Sequence, residues 1–265
     1  MARKNEVSFN YNLRNSICDL IRWRYGDLND LPVVEVSNFN KNSLFNYSNT
    51  GFLYEYQFID TPDFEGCGET SPIPYYYQNL AEAEYVVATY MFMVLMGYDP
   101  NKITILTTYN GQKALIKDIV KKRCSWSPLF RSPFKITTVD KYQGQQNDYI
   151  LLSLVRTNYF GHLRDIRRLI VSMSRARLGL YVFGRYNIFK SCYELSQTMT
   201  IFSKKPLELK IFINEMFPTI RRLNEDDIEE KQILSVKDFR HLYKIIEEII
   251  KIKYSTLPSN TIQNK

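Results

Sequence analysis

The stretch TTVDKYQGQQNDYILLSLVRT (residues 137–157) decides the fold, because it joins a polar turn to a buried strand. Its apolar run YILLSLV (149–155) has the length and composition of a strand that is covered on both faces. A tight hairpin would use Asn-Gly or Asp-Gly at the turn. The segment QGQQND instead offers neutral amides, which can bind sugar hydroxyls, bases or phosphates, beside a Gly that admits a ligand. A polar loop with Gly in a positive-φ turn is the alternative.

Short apolar runs alternate with segments of helical periodicity on either side of this stretch. We predict strands at 52–60, 103–107, 135–140, 149–155 and 178–184, and helices at 8–28, 78–96, 112–122, 164–173 and 187–193. This alternation is typical of an α/β fold with a parallel sheet between two layers of helices. Ligands bind such sheets at the carboxyl ends of the strands. We therefore expect the polar segments that follow strands to gather there, the glutamine-rich turn among them.

The composition indicates an intracellular protein with an anionic partner. The chain has 265 residues, of which 45% are hydrophobic, and a net charge of +7. The charge favours nucleic acid as a partner, but only weakly. Four widely spaced Cys and two His predict neither a disulfide framework nor a metal site. The longest apolar run (85–97) is shorter than the roughly 20 residues of a membrane span, so we predict a buried helix and no membrane partner.

Composition divides the chain into three predicted parts. Residues 1–35 are a helical lead-in, and residues 36–217 are the α/β domain. Residues 218–265 form a charged extension that contains an amphipathic segment, KDFRHLYKIIEEIIKIK (237–253). We expect this segment to form a helix on the domain or on a neighbour, and the last residues to be disordered.

Arginines are concentrated in RDIRRLIVSMSRARLGLYVFGR (164–185), which contains six Arg and one acid. Arg164, Arg167 and Arg168 stand in the first turn of a predicted helix, where the helix dipole favours acids. Their charge predicts an external anion or an acidic partner. Arg175 and Arg177 precede a strand, and their planar guanidinium groups suit bidentate phosphate contacts. Pairing of these arginines with acids elsewhere in the fold is the alternative.

The chain lacks the parts that would hold a nucleotide triphosphate by itself. It has no G-x-x-x-x-G-K-[ST] sequence, and NGQKA (110–114) lacks both the spacing and the hydroxyl for magnesium. No predicted strand ends in the paired acids that bind this metal. The residues could complete an anion site but could not form one alone.

Three segments together resemble a known family. ITILTTYNGQ, KITTVDKYQGQQNDYILLSLVRT and RRLIVSMSRARLGLYVFG are similar, in order and spacing, to motifs IV, V and VI of superfamily 1 helicases. The resemblance is to the second RecA-like domain of the nonsense-mediated-decay and DNA2/NAM7 type. Within that type it is strongest to the intron-binding helicases of the spliceosome, over residues 16–218.

The resemblance implies a RecA-like α/β domain, a P-loop NTPase fold without its own P-loop, that carries a C-terminal helical appendage. Such a domain is one of two motor lobes that clamp ATP and Mg²⁺ between them and bind RNA across their top. The first lobe holds the P-loop lysine and the acids that bind Mg²⁺, so this lobe alone would not hydrolyse ATP. The implied partners are the pre-mRNA intron, the first lobe and spliceosomal proteins, and the implied location is the nucleus.

The resemblance also implies residue roles. Arg175 is the catalytic arginine that reaches the γ-phosphate, and Arg177 is a further nucleotide-binding residue that supports either Arg175 or the adjacent strand. Gln143 and Gly144 contact the nucleotide. The implied RNA-binding residues are Thr108, Tyr109, Gln112, Thr138, Asp140, Gln146 and Arg156. At Gln146 the family commonly has Glu, so a contact to ribose would be through a neutral amide.

Two alternatives stay open. The chain could be a non-catalytic RNA-binding scaffold of the spliceosome with a vestigial motor site. Within the helicase superfamily the bound strand could also be DNA, because recognition of the 2′-hydroxyl depends on geometry that residue types do not reveal.

Overall fold

A computed structural model of the protein describes residues 13–24, 44–223 and 232–255. Its centre is a five-stranded sheet with the order β1-β5-β4-β2-β3, in which every neighbouring pair is parallel. The strands are β1 Tyr56–Asp60, β2 Ile103–Thr107, β3 Lys135–Thr138, β4 Asn147–Ser153 and β5 Ala176–Gly184. The predicted parallel sheet is confirmed, and each of its five strands overlaps a predicted one.

Seven α-helices lie within the described residues. They are α1 Asn15–Arg22, α2 Leu80–Leu95, α3 Asn110–Cys124, α4 Ile166–Met173, α5 Tyr186–Lys190, α6 Ser196–Phe202 and α7 Phe239–Ser255. A second sheet pairs β6 (Leu209–Ile211) with β7 (Leu234–Val236) in antiparallel orientation. The sequence did not predict α6 or this short sheet, because each is too short to show a clear periodicity.

Both faces of the five-stranded sheet are buried under helices. Along β4, Tyr149 and Leu151 join one hydrophobic cluster with α2, α3 and α7. Ile150 and Leu152, which alternate with them, join a second cluster with α1, α4, α5 and α6. Because side chains alternate across a strand, a run that is apolar throughout fits only a doubly covered sheet. The fold is the predicted RecA-like α/β domain.

Helix α2 is the most deeply buried of the helices that the structure describes. Every residue from Ala81 to Leu95 is buried, because α3, α7 and the sheet surround it. Asn79 caps its first turn by accepting a hydrogen bond from the backbone N–H of Glu82 at 3.1 Å. The prediction of a buried helix is confirmed, and none of the helices described is long and apolar enough to cross a membrane.

The two ends of the described chain contribute to the same cores. Leu13, Ile17, Leu20 and Ile21, in and before α1, are fully buried in the second cluster. Helix α7 buries Leu242 and Ile246 against α2, so the predicted amphipathic helix packs on the domain. The domain limits near 35 and 218 stay predictions. The limit at 35 and most of the predicted tail lie outside the described residues.

Candidate functional site

The candidate residues divide between the two opposite ends of the parallel sheet. The carboxyl end is the level at which Thr107, Thr138 and Ser153 are register partners. The amino end is the level of Lys135, which pairs with Thr104, and of Asn147, which pairs with Ala176. Because the strands are parallel, a ligand at one end is separated from a ligand at the other by the full length of the strands.

The glutamine-rich turn lies at the amino end of the sheet, and the prediction that it lies at the carboxyl end is wrong. The Lys135 ammonium, at the start of β3, donates to Gln145 Oε1 at 3.0 Å. The Asn147 amide donates to the Asn101 carbonyl, just before β2, at 3.2 Å. Strands β3 and β4 both run parallel to β2. The segment that leaves the carboxyl end of β3 must therefore return to the amino end of the sheet before β4 begins. The glutamine-rich turn lies at the end of this return.

Arg175 lies against this turn. It directly precedes β5, and its Nη1 donates to the Gln145 carbonyl at 3.0 Å while its Nη2 donates to Ser174 Oγ at 2.6 Å. The Gln146 amide donates to the Ser174 carbonyl at 3.1 Å. Arg175 is 7% exposed, and these partners are polar groups of the turn and the adjoining loop. The fold thus brings the predicted catalytic arginine and the predicted nucleotide-binding turn together.

Gly144 supplies the open part of the turn. Its φ is +76°, a left-handed conformation that favours glycine. A Cβ atom added there would meet no atom within 4 Å. Gln143 beside it is exposed. The peptide groups of 143–144 are therefore accessible to a ligand that approaches the amino end. Gln145 and Gln146 hold the turn in place through their hydrogen bonds with Lys135 and Ser174.

The remaining arginines of 164–185 show why the expectation of uncompensated charge was wrong. Arg164 pairs with Glu194 at 3.2 Å, Arg167 with Asp165 at 3.2 Å, Arg168 with Asp140 at 3.1 Å and Arg177 with Asp148 at 3.0 Å. Asp165 also caps α4 by accepting from the Arg167 N–H at 3.0 Å. The hydrogen bonds from Arg167 lower the pKa of Asp165. Arg177 ties β5 to β4 through Asp148, which fits the alternative that it supports the adjacent strand, and its contact with a nucleotide stays a prediction.

The carboxyl end brings together six of the seven residues predicted to bind RNA, and four of them are Thr108, Tyr109, Thr138 and Asp140. Thr108 and Tyr109 connect β2 to α3, and the Thr108 hydroxyl donates to the Leu154 carbonyl at 3.2 Å. Thr138 ends β3 with 6% of its surface exposed. Asp140, in the turn that follows, has an exposed side chain that pairs with Arg168. Gln146, also predicted to bind RNA, lies apart from them, in the turn at the amino end.

Arg156 lies at the carboxyl end with its charge already paired. Its Nε donates to Glu69 Oε2 at 2.7 Å, and its guanidinium lies 4.0 Å from the centre of the Tyr77 ring. The residue is 8% exposed. The same Glu69 oxygen accepts from the Thr157 N–H at 2.7 Å. Arg156 therefore fixes the segment after β4 to the loop that carries Glu69 and does not present a cation to solvent.

Gln112 is a packing residue, contrary to the prediction of a surface contact. It is fully buried. Its amide donates to the Asn79 carbonyl and to Ser153 Oγ, both at 3.0 Å, and its Oε1 accepts from the Asn79 N–H at 2.7 Å. All these atoms join α3 to the start of α2 and the end of β4. Gln112 can affect a bound strand only by fixing the loop that carries Thr108 and Tyr109.

Glu82 was not predicted from the sequence, yet its buried carboxyl group holds together the backbone at the carboxyl end of β4. Its Oε2 accepts from Ser153 Oγ and from the Val155 N–H, both at 2.7 Å. Val155 has φ +76°, a conformation that β-branched residues rarely adopt. Burial raises the pKa of Glu82 to about 8. The signal was present, since Asn79 followed three residues later by Glu82 ahead of an apolar run is a capping pattern.

Comparison with known protein families assigns this chain to a family. A family model described as AAA domain matches residues 5–187. The match covers more than half of the chain, and the chain belongs to this family.

Among individual proteins, the chain is similar to the RNA helicase aquarius of Mus musculus, with 53% identity over 83% of this chain and 15% of that protein. It is 29% identical to the pre-mRNA-splicing factor cwf11 of Schizosaccharomyces pombe over 96% of this chain and 19% of that protein. A shorter match, 38% identical over 33% of this chain and 9% of that protein, is to the ATP-dependent helicase NAM7 of Saccharomyces cerevisiae. The predicted resemblance to spliceosomal superfamily 1 helicases is confirmed. The chain spans less than a fifth of the length of each of these relatives.

Proposed function

We propose that this chain is the second motor lobe of an ATP-dependent RNA helicase that acts on pre-mRNA in the nucleus. The observation that carries the proposal is the position of Arg175 against the open Gly144 turn at the amino end of the sheet. Thr108 of motif IV and Thr138 of motif V lie at the opposite end of the same strands. A domain with a phosphate-facing end and a strand-facing end, joined by one rigid sheet, is suited to couple nucleotide chemistry to movement along RNA.

The residues at the amino end fit part of a nucleotide site. Gln143 and the peptide groups around Gly144 offer hydrogen bonds to ribose and phosphate, and Arg175 offers a cation. ATP supplies the phosphoanhydride bond that is cleaved. Arg175 would stabilise the negative charge that develops on the phosphate oxygens in the transition state. No cluster of three or more His, Cys, Asp or Glu suited to a metal occurs in the described residues, so in this proposal Mg²⁺ is held by the first lobe.

The carboxyl end would bind the RNA strand. Thr108, Tyr109 and Asp140 lie where the resemblance implies motifs IV and V meet the RNA backbone. The printed names of two relatives, an RNA helicase and a pre-mRNA-splicing factor, support an intron as the substrate and spliceosomal proteins as partners.

Substitution of Arg175 in a protein that contains both lobes tests this assignment. We expect Arg175→Ala to lower ATP turnover by about 10³-fold or more, because the charge in the transition state loses its stabilising cation. RNA affinity should change little, since the RNA end is a strand length away. Arg167→Ala is the matched control: Arg167 lies on the same segment, and its side chain is 89% exposed and paired with Asp165. Loss of RNA affinity with turnover intact would contradict the assignment.

A non-catalytic RNA-binding scaffold is the second candidate. The observation that favours it is that Arg177, which was predicted to act beside Arg175 at the nucleotide, pairs with Asp148 within the chain. In such a module Arg175→Ala would leave RNA binding unchanged, and the protein with both lobes would show no ATP turnover to lose.

A further inference from the structure

A groove separates α3 from the outermost strand of the sheet. One wall is the outer face of α3, and the other is the segment 132–137, which leads into and forms most of β3. The groove has a volume of about 650 Å³. No residue in it was assigned a role by the motifs described above.

Four lysines line this groove: Lys113, Lys117 and Lys121 on α3, and Lys135 on β3. The three on α3 are four residues apart, which places them about 6 Å apart in a row some 12 Å long. Among the described residues none of the four forms an ion pair. Lys113 donates to Asn110 Oδ1 and Lys135 to Gln145 Oε1, both neutral acceptors. Asp118, the one acid of α3, does not line the groove.

The groove also presents an aromatic ring. Phe134, at the entry to β3, lines it and is 55% exposed. Buried apolar side chains, among them Val120 and Phe130, form its floor. A row of cations that can follow a phosphate backbone, beside a ring on which a base can stack, is the arrangement that binds single strands without reading their sequence. An acidic peptide would use the cations but would leave the exposed ring without a stacking partner.

The position of the groove continues the proposed RNA path. Helix α3 begins directly after Thr108 and Tyr109, and Lys113 is in its first turn. On the other wall, Thr137 directly precedes Thr138. The groove therefore opens at the carboxyl end of the sheet. Because α3 returns antiparallel to β2, the groove runs from there toward the amino end, where Lys135 contacts the glutamine-rich turn.

We propose that this groove, the lysine groove, binds the sugar–phosphate backbone of single-stranded RNA that extends past the carboxyl end of the sheet. The inference rests on the proposed function, because it takes RNA as the ligand. It adds a binding site outside motifs IV, V and VI. The site is formed by an outer helix and an edge strand, and its contacts are electrostatic and independent of sequence.

The test is RNA binding by the full chain, measured by fluorescence anisotropy with two labelled oligouridines. One is short enough to occupy the carboxyl end alone, and the other is longer by about four nucleotides, within the range of single-strand site sizes. We expect wild-type protein to bind the longer strand more tightly. The double variant Lys117→Gln/Lys121→Gln should bind the longer strand about tenfold more weakly, with the slope of log affinity against log salt smaller by about 1.4, as for two lost phosphate contacts. Affinity for the short strand should stay the same.

The matched control is Lys204→Gln/Lys251→Gln, which removes the same charge from exposed lysines outside the groove. It should bind both strands like wild type. All three proteins should unfold at the same urea concentration, because the four substituted side chains are exposed.

Three results would overturn the inference, and they differ in what they say of the proposed function. If the groove variant binds the longer strand as tightly as wild type, the groove is not an RNA site, and the proposed function is unaffected. Polyglutamate of equal charge could displace the longer strand from wild type but not from the groove variant. That result would make the groove a site for an acidic protein. Failure of wild type to bind either strand would overturn both the groove and the RNA-binding lobe.

Discussion

Glu82 is a carboxyl group without access to water, at 0% exposure. Its hydrogen bonds from Ser153 and Val155 hold the strained turn that leads into Arg156. Desolvation is the largest influence on this group, and it raises the pKa from 4.5 to about 8. The folded protein therefore keeps a proton on Glu82 at a pH at which the unfolded chain has released it.

This shift predicts a pH dependence of stability. Between about pH 4.5 and 8 the folded state binds one more proton at Glu82 than the unfolded state, so the free energy of unfolding falls as the pH rises through this range. Over this whole pH range, Glu82 lowers the free energy of unfolding by at most about 5 kcal/mol. Glu82→Gln should flatten this slope, because the amide does not titrate. Urea unfolding at several pH values measures it, with Glu247→Gln on the exposed face of α7 as control. Equal slopes for wild type and Glu82→Gln would show that Glu82 does not titrate differently in the two states.

Helix α7 covers the face of α2 that the sheet and α3 leave open. Ile246 is 1% exposed and lies in the hydrophobic cluster with α2, and Tyr243 on the same helix donates to Glu84 Oε2 on α2 at 2.7 Å. Every residue of α2 from Ala81 to Leu95 is buried, so the helix is covered on every side. The extension that carries α7 is thus required for burial of the helix at the centre of the domain.

Ile246→Ala tests the contribution of α7 to the stability of the domain. We expect the free energy of unfolding to fall by about 2–5 kcal/mol, because the substitution leaves a cavity between two packed helices. Ile252→Ala is the matched control on the same helix, where the side chain is 63% exposed, and it should change stability by less than about 0.5 kcal/mol. Both are measured by urea unfolding of the full chain. Similar small effects of the two substitutions would mean that α7 does not stabilise the domain.

At the scale of the whole domain, the candidate site residues lie at two separate ends of one sheet. The amino end holds the Gly144 turn and Arg175, and the carboxyl end holds Thr108, Thr138 and Asp140. Residues that are close in the sequence, such as Asp140 and Gln145, are divided between the two ends. In the proposed function, this separation lets one rigid domain contact a nucleotide at one end and an RNA strand at the other.

We therefore expect this chain alone to show no ATP turnover, with or without RNA, because it lacks the P-loop lysine that cradles the phosphates. A phosphate-release assay on the purified chain measures this, and Arg175→Ala serves as the control for contaminating activity. Turnover by the chain alone that disappears in Arg175→Ala would contradict the assignment of the chain as one of two lobes.

Prediction from the sequence was most accurate where hydrophobic burial decides the structure. Strand β2 was predicted at 103–107, as observed, and the parallel sheet followed from continuous apolar runs. The sequence did not predict β6 and α6, which are short elements that depend on partners distant in the chain. At the site, the motif resemblance selected Arg175 and the turn that contains Gly144, and the fold brings the two together. Spacing could not show that Gln112 is buried or that Arg156 is paired with Glu69, 87 positions earlier.

The sequence by itself determined the class of the fold, the family and the identity of the motif residues, because apolar periodicity and motif spacing are local properties of the chain. Only the tertiary structure decided at which end of the sheet each group of motif residues lies and which arginines pair with acids of the same chain. The return of the chain from β3 to β4 and the pairing of Arg177 with Asp148 are consequences of strand order and packing. Contacts between residues far apart in the chain decide both, and no local pattern encodes them.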